Sequence, residues 1–322
     1  MSTVRHLPET FGFKPGAEAF PLMLPLSFSM ATCNARCPIC PYVNNPSLSS
    51  RYRKVRFMPP ALFERIADEA GPHQAILRLS GRESTMHPDL VDCVWYAKQK
   101  GAGVGLITNG FLLSHPMSAY LLESGIDSIE ISVDAADAET YSQIRVGLDF
   151  DTVLRNVRQL VALRDKARAP TVIIVSVVDQ QLNTSKIESI RAFWSEIVDN
   201  VQVRKYLTWG FLNPDQGGER SPYLDDDTPC PFPFERLNID PLGDISLCGY
   251  DIGFDVVLGN VYTQSIASVW HGEKLSQIRE LMLERRWAEL PLCHTCTDRR
   301  YRSWEYNIYK VWEEARENRQ HR

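Results

Sequence analysis

Cys33, Cys37 and Cys40 stand in the pattern C-x3-C-x2-C, three thiols within eight residues. Three thiolates so spaced can grip three corners of an iron–sulfur cubane and leave one iron without a protein ligand. Soft thiolate donors select zinc or iron–sulfur centres over hard cations. A structural zinc needs a fourth ligand, and the next histidine along is His73, so the spacing favours iron–sulfur over zinc. Pro38 and Pro41 stiffen the segment, which suits a preformed cage. A second group, Cys230, Cys248, Cys293 and Cys296, occupies the last third of the chain. Four thiolates from a hairpin and a distant turn can enclose one metal centre completely. A four-cysteine zinc meets that ligand count as well as a cluster does, so counting leaves both open. Cys93 stands alone in the helical run DLVDCVWYAKQK and reads as a small core hydrophobe. A thiol that donated hydrogen to a substrate radical would have to project into the interior instead.

The first thiol group needs a frame, and residues 24–207 provide a repeating one. Strand-like runs fall at 24–30, 75–80, 103–108, 128–134, 171–178 and 201–207, with helical patterns between them near 60–70, 88–100, 115–124, 151–166 and 184–198. The second helical pattern opens with Pro88 and Asp89 and closes at Gly101. Apolar strands alternating with helices predict a parallel sheet covered by helices. Six units are too few for a closed eight-stranded barrel, so the expected fold is α/β, a partial barrel or open sheet. Chemistry in either sits at the carboxyl ends of the strands, where the first cysteine group lies. Residues 1–24 form an N-terminal extension, 25–207 the core, and 208–229 an aperiodic linker rich in Gly, Pro and Asp. Residues 230–300 begin with a hairpin around Pro241-Leu242-Gly243 and continue through an amphipathic helical region, IASVWHGEKLSQIRELMLERRW. In 301–322, Tyr301, Trp304, Ile308 and Trp312 recur at helical spacing, a stripe expected to dock on the protein's own body.

The chain's 322 residues, 44% of them hydrophobic, supply a sizeable core and exclude wholesale disorder. Its net charge of −5 argues against a dedicated nucleic-acid binder. No apolar run reaches the 18 residues that suggest a membrane span, and the first twenty residues lack a signal-peptide core, so a cytoplasmic protein with reduced thiols is expected.

The cysteine triplet after a first strand resembles the signature of the radical S-adenosylmethionine (SAM) superfamily, whose fold is a partial (β/α)6 barrel. The resemblance implies a [4Fe–4S] cluster held by Cys33, Cys37 and Cys40, with SAM on the open iron and a 5′-deoxyadenosyl radical released on reduction. An electron donor such as flavodoxin or ferredoxin is implied too. Where the family carries Gly-Gly-Glu, this chain has Gly81-Arg82-Glu83, keeping the turn and the carboxylate expected to meet the methionine ammonium. Asn109 ends the third strand; Ser132 and Asp134 match the ribose contacts; Arg145 matches an arginine that meets the methionine carboxylate; Ser176 falls in the adenine-contacting stretch. The words LNID, GD, LGNV, VWHGE and PLC around the second cysteine group resemble the SPASM/twitch extension. With four cysteines, the resemblance implies one fully ligated auxiliary [4Fe–4S] cluster in a small α+β domain, followed by the C-terminal helix.

Relatives with such an extension oxidise aminocyclitol alcohols, epimerise or dehydrate sugars, or modify peptides. The segment before the first strand is too short for a peptide-binding domain, and Cys93 is badly placed for epimerisation. An auxiliary cluster offers an exit for the second electron of an alcohol oxidation. The leading expectation is therefore dehydrogenation of a small sugar-like or aminocyclitol substrate in natural-product biosynthesis. Epimerisation, dehydration and peptide modification are the alternatives, and a non-enzymatic zinc or electron-transfer protein is the different class. Arg204, Lys205 and Tyr206, ending the sixth strand, and Asp251, just beyond Cys248, are the positional candidates for removing a hydroxyl proton.

Overall fold

The computed structural model of the protein describes residues 16–30, 32–209, 216–218, 228–294, 296, 299 and 308–320. Strand β1 spans Met23–Ser29 and precedes two short helices, α1 Pro41–Asn44 and α2 Pro46–Ser50. Then α3 Pro60–Ala70, β2 Ile76–Gly81, α4 Leu90–Gln99, β3 Gly103–Thr108, α5 His115–Glu123 and β4 Ser128–Ser132 alternate. Helices α6 Ala138–Ile144 and α7 Phe150–Ala167, strand β5 Val172–Asp179, helix α8 Ile187–Ser195 and strand β6 Asn200–Lys205 complete the repeat. The helix starts are chemically marked: Ser114, Asp137 and Asp149 each accept a hydrogen bond from the backbone N–H three residues on. Helix α6 has no counterpart in the sequence reading; it is one capped segment of seven residues.

The six strands pair in sequence order, all parallel, as the alternation predicts. Their two faces differ. Leu24, Leu26, Leu77, Leu79, Ile129 and Val175 are fully buried in the core shared with the surrounding helices. The opposite face turns inward, and its base is apolar. There Met23, Ile76, Val172 and Ile174 pack against Val311, Trp312 and Ala315 of α11, Ile308–Gln320. Asn318 and Arg319 secure this helix to the carbonyls of Asp199 and Ala169, at 3.2 and 2.8 Å. The docking expected for the aromatic stripe holds at Trp312; Tyr301, Trp304 and the side chain of Ile308 lie outside the described residues.

The later region extends the same sheet. Strand β7, Asn238–Ile239, pairs in parallel with β1 through Leu26 and Ile239, then forms the expected hairpin with β8, Asp244–Ser246, which β9, Val257–Asn260, joins. Nine strands thus make one sheet, with β1 between β2 and β7. The expected amphipathic region divides into α9 Ile266–Trp270 and α10 Glu273–Leu283, separated at His271-Gly272. Most of the expected linker lies outside the described residues. Among the described residues no helix is long and apolar enough to cross a membrane.

Candidate functional site

The carboxyl ends of the parallel strands surround a cavity of about 470 Å³. Cys33, Cys37 and Cys40 line one side of it. Their loop is held in shape by the Cys40 N–H donating to the Cys37 carbonyl at 3.0 Å and by Arg36 N–H donating to Val146 at 2.8 Å. Burial pushes the Cys33 thiol up to about 11 and that of Cys37 upward as well, the Arg145 guanidinium opposing the shift at Cys37. As free thiols both are protonated near neutrality, so any centre that takes them as thiolates must displace their protons. A clustered, all-thiol donor set beside a cavity suits a soft iron–sulfur centre.

The strand ends behind the loop are cross-braced. Gly81 has φ +119°, and a Cβ there would lie 2.4 Å from the Ser29 carbonyl oxygen, so only glycine fits the turn. Glu83 lines the cavity but is 1% exposed. One of its oxygens accepts from Thr85 N–H at 3.0 Å and from the hydroxyls of Thr85 and Thr108 at 2.5 and 2.6 Å. The other accepts from Asn109 N–H at 2.8 Å. Its carboxylate is thus held by four donors of the protein at the cavity wall, where the resemblance expects it to meet the methionine ammonium. Asn109 also lines the cavity, and its amide donates to Asn34 Oδ1 at 2.7 Å, tying the third strand to the cysteine loop.

Asp134 is placed differently from Ser132. It is fully buried behind the cavity wall, with a backbone φ of 65° that turns it away from the direction Ser132 takes. Its oxygens bind Val178 N–H at 2.7 Å and the Arg145 guanidinium at 2.7 Å. It thus holds Arg145 in place. Arg145 reaches the cavity between Asp134 and the Cys37 sulfur, 3.9 Å away. Burial works against its charge, but Asp134 and Cys37 outweigh burial and hold its pKa above the ordinary arginine value. Ser132 lines the cavity; Ser176 stands behind it, the two hydroxyls 3.4 Å apart.

Deeper in the interior lies a charged cluster. Glu130 of β4 binds Arg78 of β2 at 2.5 Å and Arg204 of β6 at 2.9 Å. Burial opposes the Glu130 charge, but the two guanidinia hold its pKa below the usual carboxylate value. Sequence reasoning missed Arg78 and Glu130. The available signal was a charge in the middle of each apolar run, AILRLS and SIEISVD. Arg204 is committed to Glu130 and so makes a poor base, while Lys205 and Tyr206 also line the cavity. Asp251 lines it too, and burial raises its pKa, yet its oxygens already accept from Asp255 and Val256 N–H at 2.8 and 2.9 Å. Arg236 and Asn238, which the sequence did not single out, complete the far wall with Tyr250 and Phe254.

Cys230, Cys248, Cys293 and Cys296 meet around a second void of about 40 Å³, together with Leu247, Met282 and Leu292. The hairpin and the distant turn do converge. No three metal-binding side chains among the described residues sit as close as a single bound ion requires. Phe232 and Tyr250 line both voids and form the partition between them. Cys93 lies on α4, 3% exposed, in the core outside the cavity, and burial pushes its thiol up to about 12.

The profile of the radical SAM superfamily matches residues 28–186, and that of the SPASM iron–sulfur cluster-binding domain matches residues 230–297. The chain is a radical SAM enzyme with a SPASM domain. The radical SAM profile contains β2 to β5 and the three thiols of the large cavity, and the SPASM profile contains all four thiols of the smaller void. This radical SAM enzyme is 24% identical over 313 residues to the PqqA peptide cyclase of Gluconobacter oxydans (strain 621H), covering 85% of this chain and 83% of the relative. It is 25% identical to the mycofactocin maturase MftC of Mycolicibacterium smegmatis, over 87% of this chain and 78% of that protein. Its fold matches BtrN in complex with AdoMet and 2-DOIA, with TM-score 0.59, 18% identity and coverage of 86% and 93% of the two chains. It also matches Streptococcus suis SuiB bound to the precursor peptide SuiA, with TM-score 0.66, 16% identity and coverage of 81% and 67%. Membership of the superfamily implies SAM and iron–sulfur binding by this radical SAM enzyme.

Proposed function

We propose that this enzyme modifies a peptide in natural-product biosynthesis, oxidising it by hydrogen-atom abstraction. The observation that carries the reading is the near full-length similarity to a peptide cyclase. The shape of the site supports it, because the cavity runs from the cysteine loop to Tyr250 and Phe254 of the SPASM region and is wide enough for a side chain. The sugar or aminocyclitol alcohol expected from the sequence becomes the second reading, supported by the single four-thiol cage that an alcohol oxidation needs for its second electron.

In this reading Cys33, Cys37 and Cys40 hold a [4Fe–4S] cluster whose open iron takes SAM, and Cys230, Cys248, Cys293 and Cys296 hold an auxiliary [4Fe–4S] cluster. When bound, SAM and the first cluster supply a 5′-deoxyadenosyl radical, formed with an electron from a reductase of the flavodoxin or ferredoxin type. Gly81 brings the backbone close to the methionine end. Arg145, fixed by Asp134, meets the methionine carboxylate, and the charge pair keeps that guanidinium in place before SAM arrives. Ser132 offers its hydroxyl to the ribose, with Ser176 orienting it. Glu83 acts by holding Asn109 and the strand ends in register. Lys205 and Tyr206, which line the cavity, are the candidates kept for proton removal.

The test uses anaerobically reconstituted protein and two deuterated panels: short peptides, and aminocyclitols with sugars. Deuterium passing from the peptide carbon into 5′-deoxyadenosine supports the reading. Transfer from the aminocyclitol or sugar panel, with none from the peptide, overturns it.

A further inference from the structure

The inner wall of the cavity holds more positive charge than its carboxylates neutralise. Arg78 and Arg204 share one partner, Glu130, at 2.5 and 2.9 Å. Arg236 lies across the wall, paired with Glu235 and stacked 3.9 Å over the Phe232 ring. Three guanidinia therefore face two carboxylates. Burial lowers the Arg78 pKa to about 10, and the charges of Arg204 and Arg236 push the same way against Glu130. The two other carboxylates on the cavity do not redress the balance locally. Glu83 is held by threonine and backbone donors and Asp251 by two backbone N–H groups, and among the described residues neither is ion-paired with these guanidinia.

A second observation points to a ligand at the same place. Asn238 is 3% exposed and lines this cavity, yet neither its amide oxygen nor its amide nitrogen has a hydrogen-bond partner among the described residues. The buried Nε atoms of Arg204 and Arg236 likewise have none. Buried polar groups left unpaired cost stability, and they persist where something else binds them. The sheet register explains the grouping. Pro25 of β1 pairs with Arg78 on one side, and on the other side Asn238 precedes Ile239, the partner of Leu26. Asn238 and Arg78 thus flank the same strand on its interior face.

We propose that Arg78, Arg236 and Asn238 form a substrate-anchoring subsite for an oxyanion, a carboxylate or phosphoryl group carried by the substrate. The subsite deepens the peptide reading and rests on it for the source of the anion, a peptide carboxylate. The Asn238 amide donates to one oxygen, the guanidinia to the others, and the reacting carbon is held toward the cysteine loop. Such anchoring fixes one carbon–hydrogen bond at the radical, which is where positional selectivity has to arise.

The test is calorimetry on the SAM-loaded holoenzyme, without reductant, using N-acetyl-dialanine, its C-terminal amide and inorganic phosphate. The acid is expected to bind at least about tenfold tighter than the amide, as one charge-assisted hydrogen bond predicts. Arg78→Gln should erase that preference while leaving Glu130 bound to Arg204. Asn238→Leu, which removes no protein hydrogen bond and keeps the side chain's size, should reduce it without loss of thermal stability. Equal binding of acid and amide overturns the subsite and leaves the peptide reading standing. A preference that survives both substitutions also overturns it. Arg78-dependent binding of phosphate with neither peptide probe binding supports the oxyanion subsite, assigns its source as phosphoryl, and counts against the peptide reading.

Discussion

Glu83→Gln separates two roles for a strand-end carboxylate, as a SAM ligand or as a brace. The wild-type side chain accepts four hydrogen bonds, three on one oxygen and one on the other. A glutamine carbonyl can replace the first oxygen and keep the bonds from Thr85 and Thr108. Its NH2 then faces the Asn109 N–H, donor against donor, with the site 1% exposed and closed to water. Loss of charge weakens the surviving bonds by about 0.5 kcal/mol or more each, and the orphaned N–H adds about 1–3 kcal/mol. The expected destabilisation is about 2.5–4.5 kcal/mol, or a fall in melting temperature of about 4–7 °C. Thermal unfolding of the reconstituted protein, with and without SAM, reads this directly. A brace predicts a similar fall in both conditions, with SAM affinity reduced through the displaced Asn109. An unchanged melting temperature combined with a tenfold or greater loss of SAM affinity would refute the reasoning and return Glu83 to the role of ammonium ligand.

Reconstituted protein should carry about eight irons and eight sulfides, and changing Cys33, Cys37 and Cys40 together to Ala should leave about four irons and abolish 5′-deoxyadenosine formation. Stoichiometric zinc without sulfide in elemental analysis would contradict both cluster assignments. Trp312→Ala should cost about 3–5 kcal/mol in denaturant unfolding, because it empties the base of the strand interior where the indole packs beside Gly105. Cys93→Ala should lower stability by about 1 kcal/mol and leave product formation unchanged, since the thiol is buried away from the cavity. A large loss of turnover at unchanged stability would instead make it a hydrogen donor.

The parallel repeat was legible because each strand is a short apolar run bounded by a helix of distinct period, and all six runs coincide with strands to within two residues at either end. The first thiol group was legible by its spacing, the second only through the words around it. Asp134 shows where such reading stops. Two residues beyond Ser132, it should share that residue's face by strand alternation. The strand has already ended, and a left-handed backbone at Asp134 sends the side chain behind the wall toward Arg145. Glu83 shows a different limit, because its four donors come from its own turn and from the end of β3, a pairing that no local pattern encodes. Arg78 and Glu130 were readable in principle, since a charge amid apolar strand residues needs a buried partner. Their meeting in space required the register of the sheet.

The central place of β1 in the nine-stranded sheet also constrains how the chain can be made. Its first neighbour, β2, follows within about fifty residues, but its second, β7, arrives only about 160 residues after that. At about 5–20 residues per second, the far edge of β1 waits on the order of ten seconds or longer for its partner to leave the ribosome. During that interval the nascent chain exposes an unpaired, largely apolar strand beside its three thiols, a template for pairing with other chains. A gene truncated at residue 207 would make that state permanent. Aggregation, more than a missing auxiliary domain, would then limit its recovery.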